Sequence, residues 1–406
     1  MPDQSYNELI QKLLRPFNIS EIEGEGITLK YLFDKRLKEL GISPNQAEKL
    51  LNIERKSLIG ILDGTAKRVD VVNVLKLGNF LNLNPESFLQ IYVTELPKEM
   101  IGELEKARKS NFIISHFDVS NIKKANFLNS KSDFKQIESR ITKFFNLESI
   151  FQYEENKVFS VFSRTKRSSN NTMREFWVKS AYVHFIGINN PHEFDREALV
   201  ELIPKIRPYT MNVEKGLLTV TRALYNVGVT VLYQPYLPTV QVRGATFIVN
   251  DKPCIVLTDL NKNYPTMWFA LMHELHHVLY DLETIARVTY HITGESDLML
   301  MNEDKADEFS REYLFSKERS KYIAPFINNE MIVRQYAVES QVHPSIIYNF
   351  YNYDQTSSGN ANAWSMYKQY FPNVKQAIQM INSNPWELES IQDSIRIIKD
   401  TVFNIN

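Results

Sequence analysis

Between residues 229 and 257 the hydrophobic spacing of this chain changes from helical to strand-like, which removes a simple helical bundle from the folds open to it. Val229-Thr230-Val231-Leu232-Tyr233, Ala245-Thr246-Phe247-Ile248-Val249 and Pro253-Cys254-Ile255-Val256-Leu257 are short β-rich runs, parted by turn residues such as Gly244 and Asn250-Asp251. They predict a small mixed sheet of about three strands. Helical spacing surrounds it, over 176–188, 196–206 and 216–227 before the sheet and over 268–280, 302–315, 331–339, 345–351 and a long tail, 374–403, after it. The fold class that follows is α+β, mostly helical, with no fixed-period repeat. At 43% hydrophobic and 23% charged, 406 residues supply two or three cores of about 150 residues each and exclude a collagen-like, mucin-like or wholly disordered chain.

Closely spaced helical patterns over 28–90 form a first compact unit. The reading divides the chain into a helical domain over 1–95, a helical connector over 96–175, a third domain over 176–350 and a C-terminal helical extension over 351–406. Within the connector, Ser163-Arg164-Thr165-Lys166-Arg167-Ser168-Ser169-Asn170-Asn171-Thr172 is basic and lacks large apolar side chains, so a mobile surface loop is expected. A lone cysteine, Cys254, excludes an internal bridge and a thiolate cluster, and its apolar run predicts a buried strand thiol suited to a reducing compartment. The first residues lack the basic and apolar regions of a secretory signal, and no later run is long enough to span a bilayer. A cytoplasmic chain without a membrane partner is expected.

The segment Leu271-Met272-His273-Glu274-Leu275-His276-His277-Val278-Leu279-Tyr280 carries His-Glu-x-x-His. On a helix His273 and His277 fall on one face in successive turns and can share a zinc ion through their ring nitrogens, while Glu274 is turned aside to accept a proton from the attacking water. His276 reads as a supporting or solvent-facing residue. A third-histidine class would need glycine at position 280 and histidine at position 283, where the chain has Tyr280 and Glu283. Carboxylates follow at Asp281, Glu283, Glu295, Asp297, Glu303, Asp304, Asp307 and Glu308. Asp281, one turn beyond His277, suits a carboxylate that orients a ligating imidazole. The apolar positions Ala306, Phe309, Tyr313 and Leu314 would pack the next helix against the histidine helix, and the chemistry leaves Glu303 and Asp307 both open as the third ligand. His343, Tyr313 and His291 are candidates to stabilise an oxyanion, although His343, directly before Pro344, equally suits a helix cap.

His-Glu-x-x-His, followed 26 residues after its second histidine by Glu303-x-x-Ala306-Asp307-x-Phe309-x-x-x-x-Leu314, resembles the ImmA/IrrE metallopeptidases. Gly244-Ala245, the strand ending at Leu257, the approach Trp268-Phe269-Ala270-Leu271 and the segment Val342-His343-Pro344-Ser345-Ile346-Ile347 match the same layout, so the resemblance covers about 213–350. It implies a zincin-like domain with His273, His277 and Glu303 as zinc ligands and Glu274 as general base in amide hydrolysis. Two residues depart from the family pattern: His276 stands where glycine is usual, and Asp307 where asparagine is usual.

In the first unit, Ser43 reads as an N-cap with Pro44 at the first helical position, a short helix ends near Leu51, and Asn52-Ile53 turns the chain. A second helix runs over 54–62 to a left-handed Gly64, with Gly60 an oddity inside it. Leu50, Ile53, Leu58 and Ile61 would join the pair. The pattern resembles the Cro/CI-type (XRE) helix-turn-helix family over about 28–88, which implies duplex operator DNA as a partner. Residues 28–76 hold ten Lys and Arg against six Asp and Glu, a local +4 on a chain whose net charge is -1. Arg55, Lys56 and Ser57 are placed at base edges, and Gln46, Lys67 and Arg68 at the backbone. A helical protein-interaction module with a solvated basic face is the competing reading.

Together these features predict a DNA-binding regulator with a zinc metallo-endopeptidase domain that cleaves a repressor-type protein. The alternative is a helix-turn-helix repressor or antitoxin-like protein whose peptidase fold senses or dimerises with little turnover, a second copy of the chain being a further candidate partner. Opposite charge on the loop residues Arg164, Lys166 and Arg167 and on the acidic stretch 281–312 raises the expectation that the loop docks near the metal cleft, against the plainer one of a solvated linker.

Overall fold

The computed structural model describes residues 28–155, 171–260, 262–293 and 303–404. The chain divides into two compact units, Met1–Phe112 and Ile113–Asn406.

The first unit contains α1 (Leu29–Leu40), α2 (Pro44–Leu51), α3 (Arg55–Leu62), α4 (Val71–Phe80) and α5 (Pro85–Thr94), and α6 (Lys98–His116) carries the chain across the division. Local chemistry fixes the ends. The Thr28 hydroxyl accepts from Tyr31 N, Ser43 and Gln46 form a reciprocal capping box ahead of Pro44, and Asn52 closes α2 at φ 50°. Leu29, Phe33, Ala47, Leu58, Ile61, Leu77 and Phe88 form the buried core. Gly60 now has a reason. Ala66 N donates to its carbonyl and a Cβ there would lie 3.1 Å from the Ala66 methyl, so any side chain would press on the returning loop.

The second unit begins with α7 (Val119–Lys124), α8 (Phe134–Phe145), α9 (Gln152–Glu155), α10 (Thr172–Ile188), α11 (Arg196–Leu202) and α12 (Gly216–Asn226). Next come β1 (Thr230–Tyr233), β2 (Gly244–Val249), β3 (Lys252–Leu257), α13 (Tyr264–Tyr280), α14 (Leu282–Val288) and β4 (Tyr290–Ile292). The unit ends with α15 (Glu303–Phe315), α16 (Lys317–Ile323), α17 (Glu330–Glu339), α18 (Pro344–Ser357), α19 (Val374–Ile378) and α20 (Ile391–Ile398). The sheet has four strands in the order β1-β3-β2-β4, with β1 parallel to β3 and β2 antiparallel to both β3 and β4. The predicted three strands are present, and the fourth, three residues long, is too short to show a period. Cys254 is buried in β3, as expected. One face of β2 meets α10 through Phe247 and Phe185, and the other meets α13 through Thr246 and Glu274.

Two helical expectations need correction. The helix predicted over 196–206 stops at Leu202, and 3-10 turns at Ile203–Lys205 and Arg207–Met211, each with proline near its start, continue the chain. The predicted tail helix over 374–403 is broken: Asn384 adopts φ 34° before Pro385, and a 3-10 turn, Pro385–Glu387, separates α19 from α20. Arg140 holds this break by donating to the carbonyls of Trp386, Leu388 and Glu389, and Trp386 packs on Phe144 and Phe176. Loop residues 163–170, with Arg164, Lys166 and Arg167, lie outside the described residues, as do Glu295 and Asp297. No helix among the described residues is long and apolar enough to cross a membrane.

Candidate metal centre

Helix α13 is buried along almost its whole length, so the polar side chains it carries are held away from water: His273 is 2% exposed, and Glu274 and His277 are fully buried. Four residues of helix place His273 over His277, with their Nε2 atoms 3.1 Å apart. Helix α15 brings Glu303, whose Oε2 is 3.3 Å from His273 Nε2 and whose Oε1 is 3.5 Å from His277 Nε2. The other side of each imidazole faces a carboxylate. His273 Nδ1 lies 2.9 Å from Asp307 Oδ1, and His277 Nδ1 lies 2.8 Å from Asp281 Oδ2. Since a carboxylate accepts, each Nδ1 donates, and the two Nε2 atoms are turned with the Glu303 oxygens toward one point.

That arrangement attracts positive charge. Burial acts to lower the His273 pKa, yet Asp307 and Glu303 reverse it and raise it to about 10. His277 behaves alike, burial opposing Asp281 and Glu303, and reaches about 9. Burial acts to raise the Glu303 carboxyl, and the surrounding His273, His277 and His291 hold it well below the usual carboxylate range instead. Two imidazole nitrogens and a carboxylate oxygen on one point are a donor set that fits a divalent metal ion, and His273, His277 and Glu303 could hold one.

Beside this point Glu274 is gripped by the sheet. Thr246 donates to its Oε2 at 2.7 Å and Thr293 donates to its Oε1. Cross-strand partners in an antiparallel pair share a face, so the register Thr246↔His291 brings His291 to the same side, and Thr293, whose backbone N donates to the Gly244 carbonyl, follows it. A Cβ on Gly244 would sit 2.5 Å from Glu274 Oε1, so glycine there leaves room for the carboxylate. Thr246, Thr293 and Gly244 received no site role from the sequence. The alternation Gly244-x-Thr246, with small and polar residues inside an apolar strand, is the signal that was there to find.

Of the three oxyanion candidates, His291 reaches the cluster: its Nε2 lies 2.9 Å from Glu303 Oε1 and its ring centre 4.6 Å from that of His277. Tyr313 packs tilted against Phe309, and His343 caps α18 with its ring against Tyr264. Solvent exposure of His276 is not what the structure shows. The residue is 7% exposed, packed between Tyr280 and Phe309, with Nδ1 3.7 Å from Asp281 Oδ2 and its pKa lowered to about 4 by burial and the neighbouring His277.

In the first unit, Lys56, Lys67 and Arg68 are exposed and Ser57 is half-buried. Arg55 donates to Asn45 Oδ1 at 3.4 Å, and the Gln46 side-chain Oε1 accepts from Ser43 N at 2.8 Å. Comparison with protein-family models, curated proteins and solved structures finds no match to this chain.

Proposed function

We propose that this chain is a zinc-dependent endopeptidase of the ImmA/IrrE type joined to an N-terminal DNA-binding module, and that its substrate is a repressor-type protein. The observation that carries the reading is the convergence of His273, His277 and Glu303 next to a fully buried glutamate, each imidazole having its own carboxylate behind it. Bound zinc would polarise a scissile carbonyl and acidify the attacking water. Glu274 then accepts the water's proton at a carboxylate oxygen. Each oxygen receives one threonine hydroxyl and keeps a second lone pair, so the proton can be accepted with both the Thr246 and the Thr293 bonds in place. Asp281 and Asp307 fix the imidazole orientation, and His291 orients Glu303 through Oε1.

The test uses the full chain, loaded with zinc or stripped by chelator, against unfolded casein, with fragments read by mass spectrometry. Zinc-dependent cleavage that disappears in Glu274→Gln, while bound zinc stays at one per chain, supports the reading. Zinc binding without cleavage of casein or of repressor-type proteins favours the sensing alternative, which the double threonine grip on Glu274 also suits. The DNA half rests on the exposed Arg55 and Lys56 at the start of α3 and on the local +4. Gel shifts with a promoter library should show sequence preference that Arg55→Ala and Lys56→Ala weaken. Salt-sensitive binding without preference returns this unit to the interaction-module reading.

A further inference from the structure

One oxygen of Asp281 faces two imidazoles. Oδ2 accepts from His277 Nδ1 at 2.8 Å and lies 3.7 Å from His276 Nδ1, beyond hydrogen-bonding range. The His276 side chain is 9% exposed and held between Tyr280 and Phe309, with ring centres 4.8 and 5.5 Å away. Its Nδ1 is buried and has no hydrogen-bond partner among the described residues. Neither tautomer satisfies that nitrogen. As an N–H it is too far from Asp281 to donate, and as a lone pair it confronts a carboxylate.

The centre of His273, His277 and Glu303 uses the Nε2 edge of the His277 ring, and His276 stands with Asp281 at the opposite, Nδ1 edge. The His276 and His277 rings are nearly perpendicular, at 83° with centres 5.6 Å apart. Ligand atoms of His276, His277 and Asp281 all lie within 4.8 Å of one another, so two imidazole nitrogens and a carboxylate oxygen surround a second point. A cation there turns the stranded nitrogen into a ligand. Such a donor set suits zinc or copper(II), whereas magnesium and calcium prefer oxygen ligands. We propose that His276, His277 and Asp281 form a second divalent-cation site, back to back with the first across the His277 ring. As the ion binds, the His277 Nδ1 proton leaves to solvent and the ring bridges the two ions as an imidazolate. Loss of that proton and repulsion between the ions make this the weaker site, so at limiting metal the chain holds one ion, in the first. The order of filling rests on the first centre being a metal site, but nothing here rests on peptidase activity.

The probe is zinc alone. Chelator-stripped full-length chain is dialysed against zinc buffered at increasing free concentration, and bound zinc is counted by mass spectrometry. The natural chain should rise to one ion per chain and then, at higher free zinc, to two. His276→Phe, which keeps an aromatic ring between Tyr280 and Phe309, should lose the second step and keep the first. Should phenylalanine unfold the chain by circular dichroism, His276→Asn takes its place in the count. Glu303→Gln should move the first step to higher free zinc. An unmoved first step in Glu303→Gln counts against the first centre and, with the second step still lost in His276→Phe, leaves this site standing. A natural chain that stops at one ion, or a second ion undiminished in His276→Phe, overturns the proposal. Loss of both ions from a folded His276→Phe also overturns it, since the two sites would then be one.

Discussion

Gly244→Ala tests the grip on Glu274 without touching a metal ligand. The new Cβ would sit 2.5 Å from Oε1, 2.9 Å from Cγ and 3.0 Å from Cδ of Glu274, where ordinary contact begins at 3.4 Å, so the carboxylate must retreat about 0.9 Å from the strand. A retreat of that size stretches the Thr246 bond from 2.7 Å to about 3.6 Å, beyond hydrogen-bonding range, and lengthens the Thr293 bond as well. Each bond to a charged group contributes about 1.5–3 kcal/mol. Replacing glycine returns about 0.5–1 kcal/mol of unfolded-chain entropy, which leaves a net loss of about 1–5 kcal/mol. Urea unfolding of the metal-free chain reads that loss. Metal content should stay at one ion per chain while peptide cleavage falls about a hundredfold, the cost of a misplacement of about 1 Å. The double variant Gly244→Ala/Glu274→Asp, one methylene shorter, should regain part of the stability. An unfolding midpoint unchanged in Gly244→Ala, or a double variant no better than the single, refutes the close-approach argument.

Four further outcomes follow, three from the metal-site geometry and one from a buried histidine elsewhere in the fold. Asp307→Asn and Asp281→Asn should each weaken metal about 10- to 100-fold, read by competition with a chromophoric chelator, whereas His273→Ala and His277→Ala should abolish binding. With His273 raised to about 10 and His277 to about 9, metal must displace protons near neutral pH, so calorimetry in buffers of different ionisation heat should count protons released, and a count of zero contradicts the cluster's electrostatics. In the metal-free chain those raised values stabilise below about pH 6.5, and that contribution is lost as pH rises through 9 to 10. His184, buried between Ser180 O and Ser394 Oγ, has its pKa lowered to about 4 by burial, so it must stay neutral in the fold. Its penalty is nil above about pH 6.5 and grows to about 3 kcal/mol as pH falls to 4, and His184→Gln should flatten that part of the urea-midpoint profile.

The parts of the candidate site that the sequence shows are those that helical spacing brings together. His273 and His277 are four apart, as are His277 and Asp281, and as are Glu303 and Asp307, so each pair shares a helix face. Ser43, Pro44 and Gln46 announce the start of α2 for the same reason, since a cap is a local event. The tail helix misled because its apolar spacing over 374–403 survives a chain break: α20 still buries Ile391, Ile395 and Ile398, while Asn384-Pro385 interrupts the backbone between them and α19. Between Glu303 and Asp307, sequence chemistry alone left the choice open. Packing of α15 decides which carboxylate faces which side of His273, with Glu303 toward Nε2 and Asp307 at Nδ1.

The residues that act on Glu274 belong to a different kind of information. Thr246 lies 28 residues before it and Thr293 19 after it, and neither spacing has meaning until β2 and β4 pair. In that pairing a slip of one residue would turn His291 and Thr293 to the opposite face and put Tyr290 and Ile292 against the glutamate. The three residues of β4 are too few to specify register by their own apolar pattern. Register is instead pinned from outside the strand: Ile248 N donates to Thr289 O at one end, Thr293 N donates to Gly244 O at the other, and Phe247 stacks on Tyr290 between them. The donor set around the metal point is thus local to two helices, whereas the placement of the Glu274 carboxylate, the proposed proton acceptor, depends on the sheet. Damage to β4 pairing should therefore remove cleavage while weakening metal binding only through the lost His291 contact to Glu303, whereas loss of His273 or His277 abolishes binding itself.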